Sequence, residues 1–391
     1  MDYYNSFTRC KLIVGMNYDN DIGRLIKYHG GSKVLLFYSN QAFEITNLLD
    51  RIHRSLKSSG LDYVECFDSN NNPRLDSVFE GIKYCHREDV DFILAIGASP
   101  ECAVAKIIAA GSEYEENIYD IFNDDSSIEK ALPIAVISTT VCGGCATLPS
   151  ARVYRKLDDE TLKSYSCRSD FLIPDFIIYN PELCHIKASE IGYNFVKIFN
   201  VLLCRYFSKN EVPSFAENII EVTMKNVISS FNKLREKPNN VDVITNLIWA
   251  SLSAYVNPML SYNDDDVVSI LSNAIVEVYD CRIEEAFSIL IPAWFKFSLK
   301  KKCNQIAKLG ANVFGIPYIF SDIEETAEIT ISKVIKIMVD FGMPVSLSHF
   351  NGNATDIQNI LKKAGFPEVR EIGADRKFNA IDCEVILSLA L

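Results

Sequence analysis

The first half of the chain alternates apolar runs of strand length with stretches that repeat apolar residues at helical spacing. The apolar runs are Lys33–Tyr38, Asp62–Phe67, Asp91–Gly97 and Ala131–Thr139, and the helical stretches are Glu44–Ser59, Leu75–Cys85 and Pro100–Ala110. Near-continuous apolar strands are typical of a parallel sheet that helices cover on both faces. The pattern therefore predicts a doubly wound α/β domain over residues 1–181, with its ligand site at the carboxyl ends of the strands.

After residue 181 the pattern changes. Every long apolar segment now repeats at helical spacing, and none alternates as a half-buried strand would. These segments are Ser189–Tyr206, Ser214–Lys233, Val241–Tyr255, Asp265–Val278, Ile283–Lys302 and Ile323–Phe341. The sequence predicts an all-helical second domain over residues 182–391.

Charge and composition argue against several classes of function. The net charge is −12 and the 39 Lys and Arg residues are scattered, so the chain lacks the basic footprint of a nucleic-acid binder. The start, Met1–Asn5, has no charged leader followed by an apolar run, and apolar segments such as Ala286–Phe297 are too short to span a bilayer. We expect a cytoplasmic protein without a membrane segment, in which the twelve Cys are reduced.

Short motifs in both halves point to a known family. They are Asn72–Leu75, Asp91–Gly97, Lys106–Gly111, Ile128–Pro133, Pro181–Leu183, Tyr279–Asp280, Pro292–Trp294, Leu309–Ile316 and Gly342–Leu347. Taken in this order, they resemble the iron-containing alcohol dehydrogenases, in particular the butanol-dehydrogenase-like branch, over nearly the whole chain. The resemblance implies a dinucleotide-binding α/β domain, a helical metal-binding domain and a homo-oligomer, specifically a dimer.

The resemblance also locates four metal-ligand positions. The family holds a divalent metal with an Asp and a His four residues apart on one helix and with two further His. The matching positions here are Lys197, Val201, Asn273 and Ile283, or Ile198 and Leu202 for the first two in a shifted alignment. The five His are residues 29, 53, 86, 185 and 349, so none lies between 186 and 348, where the family His belong. Because such sites depend on imidazole, we expect the family metal (Fe or Zn) to be absent.

Two pairs of alternatives remain at this site. His185, Glu284 and Glu285 could rebuild a metal site, or they could be a loop His and two solvated Glu at a helix start. The Lys197 ammonium could polarise a carbonyl with Glu284 or Glu285 as its partner, or Lys197 could extend to the surface. The surface interpretation of Lys197 is favoured, because an unpaired buried Lys is costly.

The phosphate loop departs from the family pattern, GGGSxxDxxK. The residues that match it run from Gly97 to Lys106, with Ala98 and Ser99 in place of two Gly. Pro100 removes an amide donor, and Glu101 places a negative charge at the helix start, where it would compete with a phosphate. The predicted cofactor-binding residues are Gly97, Ala98, Ser99, Thr139 and Thr140. No cofactor is expected, and NAD(P) binding should be weak or absent.

Three functions are consistent with these features. The main hypothesis is a pseudoenzyme that acts by binding a small ligand or a protein partner. The alternative is an active NAD(P)-dependent alcohol or aldehyde oxidoreductase with an altered or absent metal. The second alternative is thiol chemistry at Cys142 and Cys145, which two Gly separate on a predicted turn. Amides at that turn would favour thiolate there, unless the two Cys merely fill space in a loop.

Overall fold

The computed structural model describes residues 10–391 except 46, 69, 71, 159–160, 208–213, 257–266 and 374–376. The prediction that no leader is present rests on Met1–Asn5, which lie outside the described residues. Within the described part of the chain, no helix combines the length and the apolar character needed to cross a membrane.

Ten strands are described. They are β1 (Lys11–Val14), β2 (Lys33–Ser39), β3 (Asp62–Asp68), β4 (Phe92–Gly97), β5 (Ile134–Ser138), β6 (Ser150–Lys156), β7 (Leu162–Arg168), β8 (Phe176–Tyr179), β9 (Glu371–Ile372) and β10 (Phe378–Asn379). Six of them form one sheet in the order β1-β8-β5-β4-β2-β3, and every pair in it is parallel. The predicted parallel sheet is confirmed, and its four predicted strands are β2 to β5.

Among the described residues of the α/β domain, five α-helices are found. They are α1 (Ile22–Tyr28), α2 (Asn40–Glu44), α3 (Leu48–Ser58), α4 (Leu75–Glu88) and α5 (Ser99–Ser112). Alternate residues of the central strands enter two separate cores: Val34 and Leu36 pack with Ile52 of α3, whereas Leu35 and Phe37 are in the core that includes α4 and α5. Each core buries one face of the sheet, which explains the continuous apolar runs in the sequence.

The structure shortens one predicted helix and adds elements that the pattern did not predict. The helix expected over Glu44–Ser59 is α3, which begins four residues later, because Asn47 adopts a left-handed conformation with φ of 60° directly before it. A separate short helix, α2, ends at Glu44. Strands β1 and β8 are only four residues long, too short for a clear periodic signal. Strands β6 and β7 form an antiparallel hairpin outside the main sheet.

Eight α-helices form most of the part of the second domain that the structure describes. They are α6 (Ile191–Tyr206), α7 (Ser214–Glu236), α8 (Val241–Val256), α9 (Val267–Tyr279), α10 (Ile283–Phe314), α11 (Ile323–Asp340), α12 (Ala354–Lys363) and α13 (Ala380–Ser388). The helical character is confirmed, with one correction: β9 and β10 form a two-stranded antiparallel pair, so the domain is not all helical. The predicted start at Asp265 lies outside the described residues. The domain boundary at 181/182 stays a prediction.

The longest helix, α10, also refines a prediction. It was expected to end at Lys302 but continues to Phe314, and Lys302 has non-helical angles (φ −120°, ψ 20°) that mark a kink. The predicted end therefore coincides with the kink, beyond which the chain continues as a helix. The other predicted helices of this domain begin and end within three residues of the observed ones.

Candidate active site

A cavity of about 1220 Å³ lies between the two domains. On the α/β side, the ends of β2 and β5 and the start of α5 line it, as expected for a parallel sheet. On the helical side, α6, α9 and α10 line it. The lining residues used below are Ser39, Ala98, Ser99, Glu101, Thr139, Thr140, Cys142, Cys145, Lys197, Val201, Asn273, Ile283, Glu284 and Phe287. Of the five predicted cofactor-binding residues, all but Gly97 line the cavity, and Gly97 directly precedes Ala98.

The start of α5 is the place where the sequence predicted an altered phosphate site. Gly97 has φ of 155°, and a Cβ at this position would lie 2.6 Å from the Glu101 carboxyl group. Glu101 Oε2 accepts a hydrogen bond of 2.8 Å from the Ala98 amide. Burial raises the pKa of Glu101, because its side chain is nearly removed from solvent at the end of the sheet. The Ala98 amide, which a phosphate at this helix start would accept from, therefore donates to the Glu101 carboxylate instead.

The two Thr that follow β5 differ in whether their hydroxyl groups are available to bind a ligand. Thr140 Oγ1 donates to Asn194 Oδ1 at 2.9 Å and accepts from the Cys142 amide at 3.2 Å. Thr139 is 7% exposed, and its Oγ1 has no hydrogen-bond partner among the described residues. A buried hydroxyl without a partner is costly unless a ligand or water satisfies it. Thr139 is thus the better of the two for contacting a ligand, whereas Thr140 fixes the loop.

Sequence reasoning missed Asn194. It lies on α6, three residues before Lys197 and so on the same side of the helix. Its Oδ1 accepts from both Thr140 and the Cys142 thiol, and its Nδ2 donates to the Glu190 carbonyl. Asn194 therefore connects the loop after β5 to the helical domain. The i, i+3 spacing of Asn194 and Lys197 was the only signal available in the sequence.

Cys142 and Cys145 lie at the start and in the middle of a short 3₁₀ helix (Gly143–Thr147), rather than on an open turn. Cys142 is buried, its thiol donates to the Asn194 carbonyl at 3.1 Å, and burial raises its pKa. The suggestion that loop amides favour a Cys142 thiolate is therefore wrong. The Cys145 thiol is half-buried, lies 3.0 Å from Ser99 Oγ and donates to the Cys142 carbonyl at 3.5 Å. All twelve Cys lie within the described residues, and none of them forms a disulfide.

This difference predicts unequal alkylation. In the native protein, we expect iodoacetamide to modify Cys145 at least about ten times faster than Cys142, because reaction needs an accessible thiolate. Quantitative mass spectrometry of timed samples would measure both rates, with the half-buried Cys204 and Cys303 as internal references. Equal rates at Cys142 and Cys145 would contradict the burial that separates them.

All four metal-ligand positions face the cavity, but their donor atoms do not fit a divalent metal. Val201 and Ile283 have no donor atoms, and Lys197 is cationic. Asn273 is already engaged: its Oδ1 accepts from Tyr154 at 2.8 Å and its Nδ2 donates to the Ser269 carbonyl at 2.8 Å. Within the described residues, no group of three or more His, Cys, Asp and Glu could hold a metal ion. The shifted alignment fails differently, because Ile198 and Leu202 are buried away from the cavity.

Lys197 does not extend to the surface, so the favoured interpretation of that residue was wrong. Its side chain is 18% exposed, Nζ donates a hydrogen bond to Ser99 Oγ, and Glu284 Oε1 lies 3.5 Å away. Glu284 is buried at the start of α10, so it is not a solvated Glu. Burial would lower the pKa of Lys197, but Cys145 and Glu284 outweigh burial and raise it. The group therefore carries a positive charge inside the cleft.

Family comparison agrees with this architecture. Residues 10–181 match the family described as iron-containing alcohol dehydrogenase, and residues 205–390 match the C-terminal domain of the Fe-containing alcohol dehydrogenase family. The two matched regions follow one another in this order and cover the α/β domain and most of the helical domain. The chain belongs to the iron-containing alcohol dehydrogenase family.

Several similar proteins are named as NADH-dependent butanol dehydrogenases. The chain is 28% identical to NADH-dependent butanol dehydrogenase B of Clostridium acetobutylicum over 310 residues, 78% of each chain. It is 26% identical to the probable NADH-dependent butanol dehydrogenase 2 of Bacillus subtilis, with 100% of both chains covered. Among solved structures, NADH-dependent butanol dehydrogenase A of Thermotoga maritima superposes with a TM-score of 0.90 at 24% identity, covering 100% of this chain and 99% of that one. At 24% identity, this structural similarity supports the fold alone.

These comparisons correct the expectation about cofactors. We expected no cofactor, weak or absent NAD(P) binding and no family metal. That prediction is contradicted, because the family is iron-containing and the relatives are named as NADH-dependent. The comparisons also agree better with the alternative, an active NAD(P)-dependent oxidoreductase, than with the pseudoenzyme hypothesis.

Proposed function

We propose that this chain is an NAD(P)-dependent oxidoreductase that interconverts short aliphatic alcohols and aldehydes in the interdomain cleft. The observation that carries the proposal is the position of the cavity: it joins the carboxyl ends of the parallel strands to a charged group, Lys197, on the helical domain. A ligand that lies along the strand ends therefore reaches the Lys197 side of the cleft. The names of the relatives indicate the same class of reaction.

The nucleotide fits the α/β side of the cleft. The unpartnered Thr139 hydroxyl lines the cavity, and the start of α5 offers the positive end of a helix to a phosphate. Gly97, Ala98, Ser99, Thr139 and Thr140 stay our assignment for this part of the site. When bound, NAD(P)H supplies the hydride for carbonyl reduction. The chain itself binds the nucleotide, orients it across the strand ends and limits the access of water.

The substrate end of the cleft combines one charge with apolar walls. Val201 lies one helical turn after Lys197 on α6, and Ile283 and Phe287 line the same cavity from α10. An alkyl chain gains about 0.8 kcal/mol for each CH₂ group that it buries on such a wall. A small apolar carbonyl compound such as butanal matches this lining better than a sugar or a carboxylic acid, whose polar groups would lie against Val201 and Ile283.

The test is an assay of the purified protein with C2–C6 aldehydes and either NADH or NADPH, followed by nucleotide absorbance. We expect saturable turnover whose kcat/KM rises with alkyl length. Thermal stabilisation by each nucleotide, measured in parallel, reports binding without chemistry. Absence of both turnover and stabilisation with the full panel would reject the proposal in favour of the pseudoenzyme hypothesis.

Replacing Thr139 with Val tests the nucleotide side alone. The change is nearly isosteric and removes only the hydroxyl, so we expect NADH to bind about five-fold more weakly, the equivalent of one lost hydrogen bond of ~1 kcal/mol. Folding stability should not fall, because the hydroxyl has no partner among the described residues. Thr223→Val is the matched control, since its hydroxyl bonds to the Ile219 carbonyl on α7, outside the cavity lining. Unchanged affinity in Thr139→Val would remove Thr139 from the site.

A homodimer and a cytoplasmic location stay predictions. Thiol chemistry at Cys142 and Cys145 also stays a prediction, and the alkylation rates described above test it.

A further inference from the structure

Lys197 lies where three elements meet. It projects from α6, its ammonium donates to Ser99 at the start of α5, and Glu284 at the start of α10 lies 3.5 Å from it. Glu284 in turn has its second oxygen 3.8 Å from Arg282 Nε, and Arg282 binds Glu190 with two hydrogen bonds of 2.9 Å. These contacts hold Glu284 in place from the opposite side. The position of the Lys197 charge is therefore fixed before any substrate enters.

The protonation of Lys197 restricts what it can do. The surrounding Cys145 and Glu284 outweigh burial and raise the pKa of Lys197, so Nζ carries three N–H groups at neutral pH. Ser99 and Glu284 face two of these groups, which leaves one without a partner among the described residues. A protonated amine cannot attack a carbonyl to form an imine. It can donate a hydrogen bond and a proton.

We propose that Lys197 takes the position and the task of the family metal: its free N–H polarises the carbonyl oxygen of the substrate, held by Ser99 and Glu284. This inference rests on the proposed function and deepens it. Two observations support it. At the family's metal-ligand positions, Val201, Ile283 and the already hydrogen-bonded Asn273 offer no metal ligand. At the remaining position, Lys197 places a positive charge in the cleft.

The step balances without a metal. The hydride that NAD(P)H supplies forms the new C–H bond at the carbonyl carbon, and the π electron pair of the C=O bond moves to oxygen. That oxygen receives its hydrogen bond, and then a proton, from Lys197 Nζ. The lysine recovers a proton from water. The aldehyde is reduced to the alcohol and the nucleotide is oxidised to NAD(P)⁺, with one proton consumed.

The experiment compares Lys197→Met with Lys308→Met in the full chain. Lys308 also pairs with a carboxylate, Glu217, in the helical domain, but it lies outside the cavity lining. We expect Lys197→Met to lower kcat about 10²–10³-fold, as the loss of an oxyanion-stabilising donor does, with NADH affinity within two-fold of wild type. Lys308→Met should retain wild-type kcat. Lys197→Arg, which keeps a charged donor, should lose less activity than Lys197→Met.

A second readout needs neither nucleotide nor turnover. The infrared carbonyl stretch of 2-butanone bound to the nucleotide-free protein should move to lower frequency than in water-free solvent, and Lys197→Gln should reduce that shift. If wild type has no activity with any aldehyde, the proposed function fails while the infrared shift still decides the role of Lys197. If the variants do not fold, the shift in wild type decides it.

Three results would overturn the inference. The first is an unshifted carbonyl stretch in wild type, and the second is a folded Lys197→Met variant with wild-type kcat. The third is wild-type activity that a chelator removes and added Fe²⁺ or Zn²⁺ restores, because a metal would then perform the polarisation.

Discussion

Glu101→Gln is expected to bind NADH about ten-fold more tightly than wild type at pH 8. In wild type, the carboxylate occupies the Ala98 amide at the start of α5, and its charge opposes a pyrophosphate at the same helix end. Two like charges about 4 Å apart repel by about 4 kcal/mol at an effective dielectric constant of 20. A ten-fold change in NADH affinity corresponds to ~1.4 kcal/mol, so removing this repulsion is more than sufficient to produce it. The amide oxygen of Gln can still accept from Ala98.

The raised pKa of Glu101 also predicts how NADH affinity depends on pH. Burial, with Asp68 nearby, raises the pKa of Glu101 above the ordinary 4.5, against the opposing hydrogen bonds from Ser39 and Ala98. Wild-type affinity for NADH should therefore be highest in acid and fall as the pH rises through this raised pKa, whereas Glu101→Gln should be nearly flat. The stability that Glu101 contributes is likewise present below pH 4.5 and lost as the pH rises through the raised pKa.

Fluorescence titration with NADH between pH 5 and pH 8.5 would measure both effects. Glu221→Gln is the control, because Glu221 is also buried but bonds to Tyr206 and Asn312 inside the helical domain. Its NADH affinity should equal that of wild type. Equal affinity and equal pH dependence in Glu101→Gln and wild type would show that the nucleotide does not approach this helix end.

Gly144→Ala is expected to lower the free energy of unfolding by about 3 kcal/mol, at the upper end of the cost of overpacking. Gly144 lies where the loop after β5 meets α8 of the helical domain. A Cβ there would lie 2.7 Å from the backbone oxygen of Ser251 and 2.7 Å from the Tyr255 ring. The Gly144 amide also donates to Ser251 Oγ at 3.1 Å. Because a backbone atom is involved, the clash cannot be relieved by a rotamer change alone.

Chemical denaturation of Gly144→Ala and Gly15→Ala, side by side, would test this. A Cβ on Gly15 meets only the Tyr18 ring, at 2.9 Å, and Tyr18 is 45% exposed and free to turn away, so the expected loss is below about 1 kcal/mol. Gly144→Ala should also weaken NADH binding, because Cys142 and Thr140 on the same loop line the cleft. Similar stabilities for the two variants would mean that the domains separate easily at this contact.

The sequence by itself determined the class of fold and most of the helices. Strands β2, β4 and β5 are buried on both faces, so their apolar runs were unambiguous. Helices such as α7 and α11 bury one side and keep a clear period, whereas α6 and α9 have no exposed residue. Short strands such as β1 and β8 carried no such signal. Strand β8 forms because the neighbouring β5 offers it hydrogen bonds, and β1 forms because β8 does, which is a property of the assembled sheet.

The sequence also located the positions of the site but not their contacts. The family resemblance placed Lys197, Asn273 and Ile283 together, and all three line one cavity. It could not determine that Lys197 is paired rather than solvated, because Ser99 and Glu284 lie 98 and 87 residues away in the chain and meet it only in the folded protein. Electrostatic environment depends on distances in space, so only the tertiary structure decided which charges in the cleft are buried, and with which partners.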